Sequence, residues 1–321
     1  NSSNTAVGSN ALLAITTGTQ NTSVGANSNI TVTGTDNNTA IGYNAHKGNG
    51  SANTVLGAYA LDNTSSEADQ TVAIGYSAMR GDTTSGADGT VAIGTSALTA
   101  LTIGTNNVAV GFSALAACTT GNFNTAVGYE ALSQAQDEGN ANTAVGFRSL
   151  YSVNPAAADE GFNTAVGSAS GKELTTGEGN TYVGNDCGYQ NATGDNNTYV
   201  GHNAGVGVAG QSHAGNTGIG KDALLALRDG GHNVAVGIDS GTALTTGNQN
   251  VFLGTGAGYA TQDVDKAVII GTDAGLGVMT DGADHTVAIG YAALTALTTG
   301  GGNIGIGYNA LSAVTGGTHN T

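Results

Sequence analysis

The chain has 321 residues, of which 54 are Gly and one is Pro, with no Trp, two Cys and 9% charged side chains, about a third of ordinary charged usage. Aromatics at 5% leave too little bulky volume for thick layered cores, the missing Gly-X-Y period excludes collagen, and 39% hydrophobic residues exclude a solvated coil. Seven Lys and Arg against 23 Asp and Glu give a formal charge of −16, which repels phosphate backbones, so nucleic acid is not expected as a partner, and without an apolar run of about 18 residues neither is membrane insertion.

The chain opens on Asn4-Thr5-Ala6-Val7-Gly8, and the same pattern returns as Asn124-Thr125-Ala126-Val127-Gly128 and Asn303-Ile304-Gly305-Ile306-Gly307. Eighteen copies occur, with the closing Gly at 8, 25, 42, 57, 75, 94, 111, 128, 146, 167, 184, 201, 220, 237, 254, 271, 290 and 307. Ten of the 17 intervals are 17 residues, and the others run from 15 to 21. The length variation therefore belongs to a loop.

In chain order, each copy begins with Asn four before the marker Gly, in 14 of 18 cases. This is a position for left-handed backbone or for an amide that bonds to the Asn of the next copy. Thr, Val or Ile follows, then a variable residue, then Val, Ile or Leu. That alternation predicts a strand of four to five residues whose branched pair faces inward. The marker Gly ends it at a bend. Tyr or Phe often follows directly, as in Tyr43, Tyr76, Phe112, Tyr129, Phe147, Tyr291 and Tyr308. Three after the marker every copy has Ala, Ser or, once, Cys187, around which a second short strand is expected. The next residue is Leu or Met in copies such as Leu98, Leu115 and Leu132, and Gly at Gly171, Gly188, Gly205, Gly241, Gly258 and Gly275, which predicts a cross-section that changes between copies.

A unit this small cannot bury anything alone, so the copies must stack as a parallel β-solenoid or β-roll with one copy per coil. Eighteen coils at about 4.8 Å per rung predict a rod about 85 Å long. Residues 1–321 are read as one repeat array, a segment of a longer chain with no cap at either end. The track of Tyr and Leu, left over once the branched pair fills the coil, is expected to pack on identical chains around a rotation axis.

The repeat Asn-Thr-Ala-Val-Gly-Tyr-x-Ala-Leu with its Thr-Gly-Asn loop, as at residues 124–132, resembles the head repeats of trimeric autotransporter adhesins and, more closely, the similar repeats of phage tail fibres. The copies are typically 17 residues where the adhesin heads have fewer. The resemblance implies a homotrimeric, left-handed parallel β-roll on a virion or a cell surface. It would serve as a structural and adhesive rod, spacing or presenting surfaces for a host or cell-surface receptor, polysaccharides included.

No residue of the repeat points to catalysis, and no catalytic, cofactor-binding or metal site is assigned. Gly205-Val206-Gly207-Val208-Ala209-Gly210 matches a dinucleotide fingerprint without the helix that would follow it. The Ser113 turn lacks the second Gly of a nucleophile elbow. Cys118 and Cys187 stand at different offsets and are not expected to pair. His232, His285 and His319 share one repeat position and would form rings of three only around a three-fold axis. The loop carboxylates Glu67, Asp69, Asp137, Glu138, Asp159, Glu160, Asp263, Asp265, Asp281 and Asp284 read as solubilising charges. Calcium bridged by such loops is physically reasonable, but the Gly-Gly-x-Gly-x-Asp nonapeptide of calcium-binding rolls is absent, and no cofactor is expected. The longest insertion, between Gly146 and Gly167, carries Tyr151 and the only Pro and is a place for recognition. A reading of another class is an ice- or carbohydrate-surface-binding solenoid, disfavoured because Thr alternates with Val at its position, which places that ladder inward.

Overall fold

The computed structural model of the protein is all-β, and the structure describes residues 3–29, 33–63, 67–83, 87–135, 140–154 and 161–321. The chain forms two compact units, residues 1–162 and 163–321, each a parallel β-solenoid. The first holds nine three-residue strands from β1 (Thr5–Val7) to β9 (Thr143–Val145), the second nine from β10 (Thr164–Val166) to β18 (Ile304–Ile306). Within each unit consecutive strands pair in parallel and in register, so a repeat position stacks on itself: Thr5 on Thr22 on Thr39, and Thr181 on Thr198 on Thr217. One copy makes one coil, as the spacing predicts.

The expected second strand is absent among the described residues. After the marker Gly the chain runs as turns, with left-handed backbone two and four residues on, as at Ser96 (φ 58°) and Leu98 (φ 51°). The ladder between coils nevertheless continues. Ser96 N–H donates to Tyr76 O in the coil before (3.0 Å) and Leu98 N–H to Ala114 O in the coil after (3.0 Å). Few backbone groups are therefore left for water on this side.

The marker itself admits only Gly, for two reasons. Its φ lies between 126° and 144° in all 18 copies, where L side chains are strained. A Cβ on Gly25 would also stand 2.5 Å from the carbonyl oxygen of Gly42, which accepts the turn bond from Ala45 N–H.

The strand faces the opposite way from the expectation. In the strand Val108–Val110 the central Ala109 is fully buried while Val108 and Val110 are half-buried, and the same holds in Val72–Ile74, Thr143–Val145 and Val268–Ile270. The reason is parity along the strand. The Asn four before the marker and the residue two before it lie on one face, and the Asn column is the one that must be inside. Asn180 N–H donates to Asn163 Oδ1 (3.0 Å), Asn197 N–H to Asn180 Oδ1 (2.9 Å) and Asn250 N–H to Asn233 Oδ1 (3.0 Å). The amide nitrogens reach the loop of the next coil, Asn180 Nδ2 to Gly194 O (2.9 Å) and Asn233 Nδ2 to Gly247 O (2.8 Å). Each such bond is worth about 1 kcal/mol net, and more if a partner is stranded in the core. The expected Asn ladder is therefore present, but the left-handed residue is the one before it, such as Asn196 (φ 56°).

The core of a coil is filled by the residue two before the marker, the small residue three after it, and the Leu or Gly that follows. Leu or Gly is decided by volume. Where Leu98, Leu115 or Leu132 points inward, the facing strand residues are Ala92, Ala109 and Ala126. Where Gly188, Gly205, Gly258 or Gly275 stands, the strand carries Tyr182, Tyr199, Phe252 or Ile269 instead. A Cβ on Gly188 would meet the Tyr182 ring at 2.7 Å, and one on Gly241 the Phe252 ring at 3.0 Å. The Leu column is thus inside the coil, contrary to the expectation of an outer track, and the two classes exchange volume across the interior. Phe252→Ala and Gly258→Leu should each cost about 3 kcal/mol, by cavity and by overpacking. The double variant should cost less than the larger single, and a thermodynamic cycle by chemical denaturation measures the difference.

Candidate functional site

With the core assigned, the remaining side chains fall on outer columns. The first is the strand face. The branched residues three and one before the marker point outward in every described coil, and none of the 18 strands carries a charge. Val183, Ile219, Ile41 and Leu56 are between 36% and 45% exposed on this face. The outer position three before the marker holds Thr in ten copies, Val in seven and Ile in one, so the Thr ladder is exposed in part and does not face inward.

Beside it runs the aromatic column that follows the marker. Phe112, Tyr129 and Phe147 stack with centroids 5.2 and 5.5 Å apart, and Tyr291 stacks on Tyr308 at 5.3 Å. Tyr43 and Tyr76 each meet edge to face with Tyr59, which stands two after its marker in the coil between them, at 5.4 and 5.8 Å. All but Tyr59 are more than 40% exposed. Arg148 lies 5.2 Å from the Phe147 ring and 5.4 Å from the Tyr151 ring, and its Nε donates to Glu130 Oε2 (2.7 Å). The branched and aromatic columns lie next to each other, and the strands between them carry no charge.

The loop carboxylates do more than solubilise. Asp69 Oδ1 accepts Ser51 N–H (2.5 Å), Asp88 Oδ1 accepts Asp69 N–H (2.7 Å), Asp265 Oδ1 accepts Asn248 N–H (2.7 Å) and Asp284 Oδ1 accepts Asp265 N–H (2.8 Å). They form a second side-chain ladder, six residues before the marker. Asp263 accepts the hydroxyls of Thr245 (2.6 Å) and Thr246 (2.8 Å), which hold its carboxyl below the ordinary range. Glu67 and Asp281 are exposed. Asp137, Glu138, Asp159, Glu160 and Pro155 lie outside the described residues. Tyr151, from the same insertion, packs beside Arg148.

His232, His285 and His319 sit in left-handed turn positions and are exposed. Among the described residues no three His, Cys, Asp or Glu side chains gather as a metal would require. Cys118 and Cys187 are both buried and neither is in a disulfide. Cys187 fills the small-residue slot with its thiol toward Tyr199 O (3.2 Å), and burial pushes its pKa up to about 12, far from reactive thiolate. Gly205 and Gly207 face the rings of Tyr199 and His213 within the core, and Ser113 is one of the recurring left-handed turn residues. Both belong to the repeat scaffold.

Two histidines that the sequence reading passed over are buried. His46 Nδ1 pairs with Asn29 Oδ1 (2.6 Å), its Nε2 lies 3.1 Å from Asn53 Nδ2, and burial lowers its pKa to about 4. His213 Nδ1 pairs with the Tyr199 hydroxyl (2.9 Å), its Nε2 is buried without a partner, and burial lowers its pKa to about 4 as well. The slot of His46, four after Gly42, is the one that Leu or Gly fills elsewhere, and that register marks it as a core position.

Among the described residues no helix is long and apolar enough to cross a membrane. No protein-family model, curated protein or solved structure matches the chain. The class defined by the fold is that of the parallel β-solenoid repeat proteins.

Proposed function

We propose that the chain is a non-enzymatic structural and adhesive element, the repeat shaft of a homotrimeric phage tail fibre that spaces or presents surfaces for a host receptor. A trimeric adhesin head on a bacterial surface is the alternative. The observation that carries the reading is the outward, charge-free strand face with its aromatic neighbour, repeated coil after coil. Such a face gains about 25 cal/mol for each Å² of apolar surface that a neighbouring chain covers, and rung-by-rung repetition lets identical chains meet in register. The likeness of the repeat to tail-fibre and adhesin repeats supports the number three and the location on a virion or cell surface.

Light scattering tests it. The chain should run near three times its 31.2 kDa mass, with and without chelator. Ile219→Glu combined with Val183→Glu, both on the outer face, should yield folded monomers. A folded monomer from the unaltered chain overturns the reading.

The exposed Thr ladder favours a second reading, a solenoid that binds ice through ranked Thr and Val methyls. That reading requires a monomer active against ice recrystallisation at micromolar concentration, and a trimer without such activity rejects it.

A further inference from the structure

In the second unit, a cleft of about 430 Å³ opens on the surface between the residues two after the marker and those five after it. Asp186 and Asn203 form one wall, and Tyr189, Val206 and Leu225 the other. Its size falls within the range of sites for small organic ligands. We propose that this cleft binds a neutral sugar residue of a glycan.

Four features carry the inference. The Tyr189 ring is fixed, because Lys172 Nζ donates to its hydroxyl (2.6 Å) and lies 4.8 Å from the ring centroid. A held aromatic ring is a platform for the C–H face of a pyranose, and its entropy cost has been met before the ligand arrives. Asp186 makes no side-chain hydrogen bond or ion pair among the described residues, so both of its oxygens are available to ligand hydroxyls. Asn203 is oriented by donating Nδ2 to Asp222 Oδ1 (2.9 Å), which leaves its carbonyl oxygen and a second N–H. The wall is thus rich in acceptors with one amide donor, as a polyol requires.

Charge selects against the other ligands. Asp186 and Asp222 disfavour a phosphate or a sialylated chain, and Lys172 and Lys221, the latter ion-paired with Asp222, disfavour a basic peptide. Lys221 is shared between Asp222 and Asp239 and Lys172 sits on Tyr189, so a neutral ligand displaces none of these pairings. Val206 and Leu225 continue the apolar wall along the stacking direction, so a second sugar unit of a chain could follow the first.

The inference extends the receptor-presenting part of the proposed function and does not depend on three chains. The test is a glycan array of neutral hexose oligosaccharides, sialylated and phosphorylated oligosaccharides and a lysine-rich peptide, followed by titration calorimetry with the strongest binder. A neutral oligosaccharide should bind with Kd below about 1 mM. Tyr189→Ala should weaken it at least about tenfold. The isosteric Asp186→Asn should weaken it about fivefold, with an unchanged thermal melt. Overturning results are no neutral binder, a preference for acidic glycans or the basic peptide, or unchanged affinity in Tyr189→Ala. A monomer that binds neutral glycans keeps this inference and removes the trimer, and a trimer that binds none does the reverse.

Discussion

Gly237→Ala should cost more than about 4 kcal/mol and leave the protein largely insoluble, although the change adds one methyl group. At φ 140° the new side chain is strained by its own backbone. Its Cβ would also lie 2.5 Å from Gly254 O and 2.6 Å from Gly254 C, atoms held by the ladder above it. Neither coil can retreat, since Gly237 N–H already donates to Ile219 O (2.8 Å) and Gly254 N–H to Val236 O (2.8 Å). Gly210→Ala is the control. Its φ is 74°, but nothing lies within 4 Å of the added atom, so only the left-handed penalty of about 1–2 kcal/mol applies. Yield of soluble protein and guanidinium midpoints separate the two, and equal losses would reject the backbone-clash argument.

Acid should destabilise both units between pH 6.5 and pH 4, through His46 in the first and His213 in the second. Each has a folded pKa lowered from 6.5 to about 4 by burial. Below pH 6.5 the unfolded chain takes up a proton that the native core refuses. The stability present above that pH is lost as pH falls to the folded value, roughly 3 kcal/mol for each group. Hydrogen bonding makes the refusal specific. His46 fits as the Nδ1–H tautomer, donating to Asn29 and accepting from Asn53 Nδ2 at Nε2. A second proton would set N–H against N–H. Turning the Asn53 amide would not help, because its oxygen accepts Thr71 N–H (2.9 Å) and Thr71 Oγ1 (2.7 Å). His213 would gain a buried N–H with no acceptor. Denaturation midpoints at pH 7.5, 5.5 and 4 should fall steeply for the natural chain and less for His46→Gln with His213→Gln. The carboxyl of Asp263, held low by its two Thr hydroxyls, releases its contribution only at still lower pH. An unchanged slope in the double variant would show that other groups carry the loss.

Coil period, strand position and parallel stacking were legible because they rest on strict register: a Gly where no side chain fits and a branched residue on either side of an interior one. Facing was not. In an ordinary half-buried strand the branched pair goes inward, and Thr-Ala-Val reads that way when taken alone. The parity of the Asn column with the Ala column held the answer, since an amide that replaces backbone partners has to be shielded from water. The Leu of Leu98 or Leu115 was misplaced for the same reason: with Ala inside, the coil has room for it. Of the site residues, the exposed His232, His285 and His319 and the slot of Cys187 followed from register. His213 gave no such signal because it lies in an interval stretched to 19 residues, between Gly201 and Gly220. The cleft of Asp186 and Tyr189 depends on positions that vary freely from copy to copy, and only their juxtaposition across coils makes a pocket.

The asparagine ladder has a consequence for how such a protein changes length. Where Asn follows Asn, each amide joins the coil before to the coil after through atoms that the other Asn-bearing copies also offer. Duplicating or deleting one whole Asn-bearing copy between two others therefore leaves the neighbouring rungs with their partners. Reach becomes a heritable quantity, adjustable in increments of about 4.8 Å by unequal recombination of the gene. No new interface has to be invented at any step.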